Sequence, residues 1–366
     1  MTDTKIREFA KVLVEKSAEI EEGDNVYLIA KSLDSLPLFE EVRRQIIKKG
    51  AHPHEHLLYD SQIGSEGMDY DLIKYASEEQ LRNVSDAKMQ EMKNMDAYIR
   101  IGGNDNTKEL LGLESGKISK RKKATEKILS ERLKKKWVTT RWPTDGMAQS
   151  ADMSTQNFRK FVFDSITEID WDELEAKNAK IKEKFDQSSE VRIVAENTDL
   201  RFSIEGRKGE PCNGTHNIPD GEVFYAPRKY SVEGEIKFSF PGVENGTEVE
   251  GIWLKFEDGK VVDCSAEKNE KFLEDMLDTD EGAKYIGEFG IGTNRQIQTH
   301  TGNTLFDEKI GGTVHLALGR AYERSVPDGE ERNTSGIHWD IVQDLRDNGK
   351  ILLDGEVVQE NGEWVF

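Results

Sequence analysis

The fold of this chain divides at residues 172–190, which read DELEAKNAKIKEKFDQSSE. Asp172 to Asp186 are rich in Lys and Glu and predict a charged helix, and the polar residues after Asp186 predict a linker. The hydrophobic pattern changes across this stretch. We therefore predict two domains, residues 1–186 and residues 187–366, a division that suits a chain of 366 residues.

The region before the boundary alternates helical stripes with short apolar segments. This alternation is typical of a mainly parallel sheet with crossover helices, so residues 1–186 predict an α/β domain. Ser154 is the expected N-cap of one helix. The predicted helices are Lys5–Ile20, Pro37–Lys49 and Thr155–Phe163, and the predicted strands are Asn25–Ala30, Ala97–Ile101 and Trp137–Thr140.

The region after the boundary consists of short alternating segments separated by turn-forming residues. Asp258-Gly259, between two of these segments, is a typical hairpin turn. An antiparallel sheet explains this pattern most simply, and residues 187–366 therefore predict an α+β domain. The predicted strands are Val191–Ala195, Leu200–Ile204, Gly234–Ser239, Gly251–Phe256 and Lys260–Cys264.

The formal net charge of −20 argues against a nucleic-acid partner, because phosphate binding needs clustered Lys and Arg. The basic stretch at residues 117–136 lacks interleaved aromatic residues and predicts a solvated helix face. The N-terminus is charged and amphipathic, and no apolar run of about 18 residues occurs, so neither secretion nor membrane insertion is expected. The sequence has two cysteines, Cys212 and Cys264, which are too few for a disulfide framework. We therefore expect a cytoplasmic protein.

Three glycines in the pattern Gly287-x-x-Gly290-x-Gly292 invite comparison with a cofactor-binding loop. Their order is not the dinucleotide fingerprint, and no clear strand precedes them in a βαβ unit. We therefore predict a backbone turn at these glycines and no nucleotide cofactor.

His338 and Asp340 lie two residues apart in IHWD, so that on a strand both side chains project from one face. Imidazole nitrogen and carboxylate oxygen are the ligands expected for Zn, Mn, Co or Fe. An isolated His-x-Asp pair is more often a hydrogen-bonded core histidine beside a solvated carboxylate. The neighbouring segments decide between the two interpretations.

Those segments are dense in carboxylates. Glu308 lies seven residues before His315 in LFDEKIGGTVH, and Glu222 and Glu288 stand beside turn-forming residues in IPDGEVF and YIGEFG. Buried carboxylates are rarely left unpaired, and a shared cation would satisfy all of these groups. The segments together predict a metal site.

The same segments resemble the thermophilic metallo-aminopeptidase family, of the aminopeptidase T and aminopeptidase S type, which is leucyl aminopeptidase-like. A weaker resemblance, in VTTRWPTDGMAQSADMS, extends over the first half of the chain. The motifs that carry the resemblance are, in order, NIPDGEVFYAP, SVEG, DTDEGAKYIGEFGIG, NTLFDEKIGGTVHLALGRAY and GIHWDIVQDLR.

The resemblance implies a dinuclear site and a catalytic pair. Glu288 and Tyr322 match the family's catalytic residues, the first as general base and the second as the donor to the tetrahedral oxyanion. Without the resemblance, Tyr322 would be interpreted as a packing tyrosine. The six residues that match the family's ligands of two divalent ions are Glu222, Glu288, Glu308, His315, His338 and Asp340.

The activity implied is hydrolysis of N-terminal residues from short peptides by a homodimer. Two ions, Zn, Co, Mn or Mg, about 3.5–4 Å apart would bridge and activate a water and polarise the scissile carbonyl. This sequence departs from many bacterial members of the family in two intervals, and the shorter loop between His315 and His338 affects the shape of the pocket more than metal binding. The interval KIGGTV between Glu308 and His315 is longer than in many bacterial members, which affects Glu308 most.

Two other functions remain open. His315, His338 and Asp340 alone form a two-histidine, one-carboxylate set, which holds a single ferrous iron in ring-cleaving dioxygenases that resemble this peptidase fold. The matching Glu222 and Glu288 favour two metals instead. A non-catalytic binding protein would require displacement of Glu288 or Tyr322.

Overall fold

The computed structural model describes residues 3–58, 69–244 and 246–366. Its helices are α1 (Asp3–Lys11), α2 (Leu36–Lys48), α3 (Tyr70–Tyr75), α4 (Glu78–Arg82), α5 (Asp86–Asn94), α6 (Ser115–Arg132), α7 (Asp145–Ser150), α8 (Thr155–Thr167), α9 (Trp171–Asp186), α10 (Glu270–Leu277) and α11 (Thr304–Asp307). A π-helical segment, Val12–Ser17, continues α1, and 3₁₀ turns occur at Leu33–Ser35, Glu281–Lys284 and Glu323–Ser325.

The strands of the first half of the chain are β1 (Asn25–Ala30), β2 (His52–Leu57), β3 (Ala97–Gly102) and β4 (Lys136–Arg141). Those that follow are β5 (Glu190–Ala195), β6 (Thr198–Ser203), β7 (Glu210–Cys212), β8 (Asn217–Ile218), β9 (Glu222–Tyr225), β10 (Glu233–Lys237), β11 (Gly242–Glu244), β12 (Thr247–Val249), β13 (Trp253–Glu257) and β14 (Lys260–Ser265). The last are β15 (Ile286–Gly292), β16 (Thr313–Gly319), β17 (His338–Asp344), β18 (Lys350–Leu353), β19 (Glu356–Glu360) and β20 (Glu363–Trp364).

Two compact units make up the chain. The first comprises Met1–Glu168 with Gly214–Pro219, and the second comprises Ile169–Asn213 with Asp220–Phe366. The division therefore falls before α9, not after Asp186 as the sequence predicts. Helix α9 belongs to the second unit because, besides its many charged residues, it has an apolar stripe that packs in the core of that unit.

The first unit is built on one sheet in the order β2-β1-β3-β4-β8, whose pairs are all parallel. The prediction of an α/β region with a mainly parallel sheet is thus confirmed. Ser154 caps α8 as predicted, since its side chain accepts a hydrogen bond from the Asn157 amide. The basic helix α6 is also present, with Thr125 and Ile128 buried on its inner side.

The described residues of the second unit form three antiparallel sheets, which confirms the α+β prediction. Their orders are β14-β13-β10-β6-β5-β18-β19-β20, β17-β16-β15-β9-β7 and β11-β12. One apolar core joins the two larger sheets, with Phe202 from the first and Phe289 from the second in contact at 5.0 Å between ring centroids. Asp258 and Gly259 both have positive φ, as the predicted hairpin turn requires.

The prediction of a backbone turn at Gly287, Gly290 and Gly292 is wrong, because all three lie inside the buried strand β15. The glycines serve close packing rather than chain reversal. A Cβ on Gly287 would lie 2.3 Å from the Gly319 carbonyl oxygen, and a Cβ on Gly292 would lie 2.1 Å from that of Ile310. In the described part of the chain, no helix is long and apolar enough to cross a membrane.

Candidate metal centre

Three neighbouring strands of the five-stranded sheet place charged side chains on one face. Glu288 on β15 and Asp340 on β17 both lie opposite Ala317 of β16 in the sheet register. His315 is two residues from Ala317 on the same strand, so it points to the same face. His338 likewise shares a face with Asp340, as the sequence predicts.

Gly290 makes room for the His315 ring. The two residues are opposite each other in the β15–β16 register, and a Cβ on Gly290 would lie 2.0 Å from Cε1 and 2.1 Å from Nε2 of the imidazole. Since no real Cβ contact is that short, only glycine permits this ring position. Gly290, one of the three glycines that the sequence predicts to form a turn, is therefore needed to position His315.

Glu288, His315 and Asp340 converge closely enough to share an ion. One ligand atom from each lies within 4.8 Å of the others, and Glu288 Oε1 is 3.3 Å from His315 Nε2. The side chain of His315 is fully buried, and those of Glu288 and Asp340 are 6% and 7% exposed. These three residues are the centre of the candidate site.

Buried polar atoms in this group lack hydrogen-bond partners. Glu288 Oε2, His315 Nδ1 and Asp340 Oδ1 are all enclosed and make no hydrogen bond. An unsatisfied buried polar atom is costly, and a bound cation would satisfy the two carboxylate oxygens. A set of imidazole and carboxylate donors suits a divalent first-row ion, so the residues present fit a metal.

His338 is held in the orientation that a ligand requires. Its Nδ1 donates to the Arg320 carbonyl oxygen at 2.7 Å, which leaves Nε2 facing Asp340 Oδ1 at 3.4 Å. A backbone acceptor on one ring nitrogen is the usual way in which the other nitrogen is presented to a metal.

The carboxylates also set the protonation of the two histidines. Burial alone would lower the pKa of His315, but the hydrogen bond to Glu288 and the charge of Glu222 raise this pKa to about 9. For His338, the effect of Asp340 likewise outweighs burial and raises the pKa to about 10. At neutral pH and without an ion, both imidazoles are therefore protonated on both nitrogens and positively charged. A bound ion would displace one proton from each ring.

The remaining two predicted ligands contact a lysine that the sequence did not single out. Lys309 is fully buried, and its Nζ lies 2.8 Å from Glu222 Oε1 and 2.6 Å from Glu308 Oε2. Burial would lower the pKa of Lys309, but the attraction of Glu222 and Glu308 prevails and raises it well above the ordinary value. A lysine at the start of the largely apolar segment KIGGTVHLALG was the available signal.

A second group of potential ligands adjoins Lys309. Cys212, Asp220 and Glu222 are buried, with one ligand atom of each within 4.8 Å of the others. Burial, together with the Glu222 and Asp220 charges, raises the pKa of the Cys212 thiol well above its ordinary value. Neither Cys212 nor Asp220 is part of the predicted site.

Tyr322 lies at the border of the site. Its ring packs against the rings of His338, with centroids 4.9 Å apart, and Phe224. Although the residue is 46% exposed, enclosure of its hydroxyl and then the charges of Glu288 and Asp340 raise the pKa of Tyr322 well above its ordinary value. At neutral pH the phenol therefore keeps its proton and can donate a hydrogen bond.

The chain is similar to several known proteins. Over 176 residues the chain is 39% identical to Aminopeptidase T of Thermus aquaticus, a match that covers 44% of this chain and 42% of that protein. Its structure is similar to that of wild-type AmpT from Thermus thermophilus, with a TM-score of 0.84, 23% identity and 99% of each chain covered.

A more distant structural match is 2,5-dihydroxypyridine dioxygenase from Pseudomonas putida KT2440, with a TM-score of 0.63, 15% identity and coverage of 100% and 98%. At these identities the two structural matches show the fold alone. The family described as thermophilic metalloprotease (M29) matches residues 2–364. The chain therefore belongs to the thermophilic metalloprotease (M29) family, a family of metal-dependent peptidases.

Proposed function

We propose that this protein is an aminopeptidase that hydrolyses N-terminal residues from short peptides with a metal-activated water. The observation that carries the proposal is the buried group of Glu288, His315 and Asp340, whose ligand atoms lie within 4.8 Å of one another and which includes buried carboxylate oxygens without hydrogen bonds. The similarity to Aminopeptidase T of Thermus aquaticus supports the choice of substrate class. A divalent ion in this group supplies a nucleophilic water at neutral pH and polarises the scissile carbonyl.

Glu288 is the proposed general base. One of its carboxylate oxygens faces His315, and the other is free of hydrogen bonds. That second oxygen can take a proton from the attacking water and pass it to the leaving amine. His315, whose Nε2 lies 3.3 Å from Oε1, holds the carboxylate in place.

Tyr322 is the proposed oxyanion donor. Its protonated hydroxyl borders the carboxylate group, and its ring is fixed by contact with His338. A positioned phenol of this kind stabilises the charge that develops on the tetrahedral carbonyl oxygen.

The resemblance of the sequence to metallo-aminopeptidases implies two ions, with Glu222, Glu308 and His338 completing the ligand set. In the described residues, Glu222 and Glu308 share their charge with Lys309. A dinuclear site would require these two carboxylates to exchange the ammonium group for an ion.

Assembly and location are also proposals. A homodimer that encloses the site would exclude folded proteins and admit short peptides, and a cytoplasmic location suits two cysteines that are both free thiols. Sedimentation equilibrium at micromolar concentration should give twice the chain mass. A mass near that of one chain would contradict the dimer.

A second candidate function is ring cleavage by a single ferrous ion. His315, His338 and Asp340 supply the two-histidine, one-carboxylate set that such an ion takes. Oxygen consumption with a hydroxypyridine, and no release of amino acids from peptides, would favour this candidate.

The proposed function is tested with paired peptides of identical sequence, one with a free N-terminus and one acetylated. The metal-loaded protein should release the first residue from the free peptide only. Removal of the metal with a chelator should abolish the release, and its return should restore it. Cleavage of the acetylated peptide at the same rate would contradict an aminopeptidase.

A further inference from the structure

Lys309 joins two of the six predicted metal ligands through its ammonium group. Its Nζ contacts Glu222 Oε1 at 2.8 Å and Glu308 Oε2 at 2.6 Å, and the side chain is fully buried. These are the distances of charge-assisted hydrogen bonds. The two carboxylates that would hold a second ion therefore already share a cation.

The main chain fixes the position of Lys309. Its amide donates to the Phe306 carbonyl oxygen at 3.0 Å, and its own carbonyl oxygen accepts from the Asn294 amide at 3.0 Å. The Asn294 side chain in turn donates to the Asp220 carbonyl oxygen at 2.8 Å. Since the backbone is anchored on both sides and the ammonium group is enclosed, Lys309 cannot swing into solvent as a surface lysine does.

Glu222 faces both positive centres. Its Oε1 pairs with Lys309, whereas its Oε2 makes no hydrogen bond and lies 3.6 Å from His315 Nε2. Glu288, His315 and Asp340 offer ligand atoms within 4.8 Å of one another, and Glu288 Oε2 and Asp340 Oδ1 are likewise buried without a hydrogen-bond partner. Glu222 thus presents one oxygen to the ammonium group of Lys309 and the other to His315, a member of the metal-binding group.

We propose that Lys309 supplies the second positive centre of this site, so that the folded chain binds one divalent ion, at Glu288, His315 and Asp340, instead of two. An ion on Glu222 Oε1 and Glu308 would lie within a few ångströms of an enclosed ammonium group, and this repulsion disfavours it. Lys309 also faces the Cys212–Asp220–Glu222 group, through its contact with Glu222. Lys309 is a positioning residue, because it holds Glu222 and Glu308 without contact to substrate.

This inference rests on the metal chemistry of the proposed function but not on peptide hydrolysis. The test is the number of Co²⁺ ions bound per chain, measured by elemental analysis after metal-free protein is titrated and passed through a desalting column. Wild-type protein should retain one ion. Lys309→Met should retain two, because two buried carboxylates lose their cation and gain room for an ion.

Two controls match that variant. Lys309→Arg keeps the charge and should retain one ion. Lys350→Met removes a lysine on β18 whose side chain is 42% exposed and paired with Glu360, and it should also retain one. Circular dichroism of each variant reports whether the fold persists.

Two ions in the wild-type protein would overturn the inference, whatever the peptidase activity, and so would a folded Lys309→Met protein that retains one. If Lys309→Met does not fold, Glu308→Gln decides. Its count should stay at the wild-type value of one, whereas a dinuclear site would fall from two to one. One ion without aminopeptidase activity would instead contradict the proposed function and leave the role of Lys309 intact.

Discussion

Glu288 combines two tasks in one side chain, since one oxygen faces His315 and the other has no hydrogen-bond partner. Substitution by Gln should therefore remove both the proton acceptor and a ligand charge. We expect Glu288→Gln to lower kcat by at least the roughly 10²–10⁴-fold typical of a lost general base. Steady-state hydrolysis of an aminoacyl chromogenic substrate measures this.

Glu308→Gln is the matched comparison, because Glu308 contacts Lys309 and lies in the interval of altered length. We expect a loss of about 10–100-fold, as for residues that orient ligands. Equal losses in the two variants, or more than a few per cent residual activity in a metal-loaded Glu288→Gln protein, would contradict the assigned roles.

Tyr322 acts through its hydroxyl alone in this account. Tyr322→Phe keeps the ring contact with His338 but removes the hydrogen-bond donor. We expect kcat to fall by roughly 10²–10³, the usual cost of one oxyanion donor, while KM and the metal content stay near the wild-type values. Full activity of Tyr322→Phe would show that the tyrosine only packs.

The raised pKa values of His315 and His338, about 9 and about 10, predict how the metal-free protein responds to pH. A histidine whose folded pKa lies above its unfolded pKa, about 6.5, stabilises the fold fully below pH 6.5 and loses this contribution as pH rises through the folded pKa. Urea unfolding of metal-free protein should therefore show decreasing stability from pH 7 to pH 10.

Metal affinity should change in the opposite direction. Because an ion displaces the two imidazole protons, affinity should rise with pH until about pH 9 to 10, with proton release on binding. His338→Gln should reduce both pH dependences. A metal affinity that is constant between pH 6 and pH 9 would contradict protonated histidines.

Strand β15 carries Glu288 and makes room for His315, yet the sequence predicts a turn there instead of a strand. Three glycines within seven residues predict a turn, yet here they let neighbouring groups approach the strand. The contacts responsible are with residues 16 or more positions away in the sequence, so no local pattern reveals them. The sequence does not predict β2 either, for a different reason. Its residues HPHEHL are mostly polar and include Pro53, which a sheet tolerates because β2 is an edge strand.

Gly290→Ala tests the packing of β15. A Cβ there would lie 2.0 Å from His315 Cε1, so the ring must move. We expect a loss of about 1–3 kcal/mol in stability, as for overpacked cores, and a weaker affinity for the metal. Thermal unfolding and metal titration measure the two effects.

The control is Gly116→Ala, on helix α6, where the nearest atom to an added Cβ is a Glu114 side-chain oxygen at 3.7 Å. There alanine should be neutral or stabilising by up to about 1 kcal/mol. Equal effects at the two glycines would contradict the close approach of His315.

At the scale of the whole molecule, the sequence predicts which residues form the site better than it predicts which side chains those residues contact. All seven predicted site residues fall in the second unit, and the strand-by-strand register brings Glu288, His315 and Asp340 together. Pairing of Lys309 with Glu222 joins residues 87 positions apart, which requires the folded sheet. The unit boundary was misplaced because charge on α9 obscured its apolar stripe.

The measurement that tests the central claim most directly is the release of the N-terminal residue from a short peptide as a divalent ion is returned to metal-free protein. The account predicts no release without the ion, a rate that rises in proportion to added ion, and a sharp end to the rise at one ion per chain. Full activity of the metal-free protein, or release of internal fragments instead of the first residue, would contradict it.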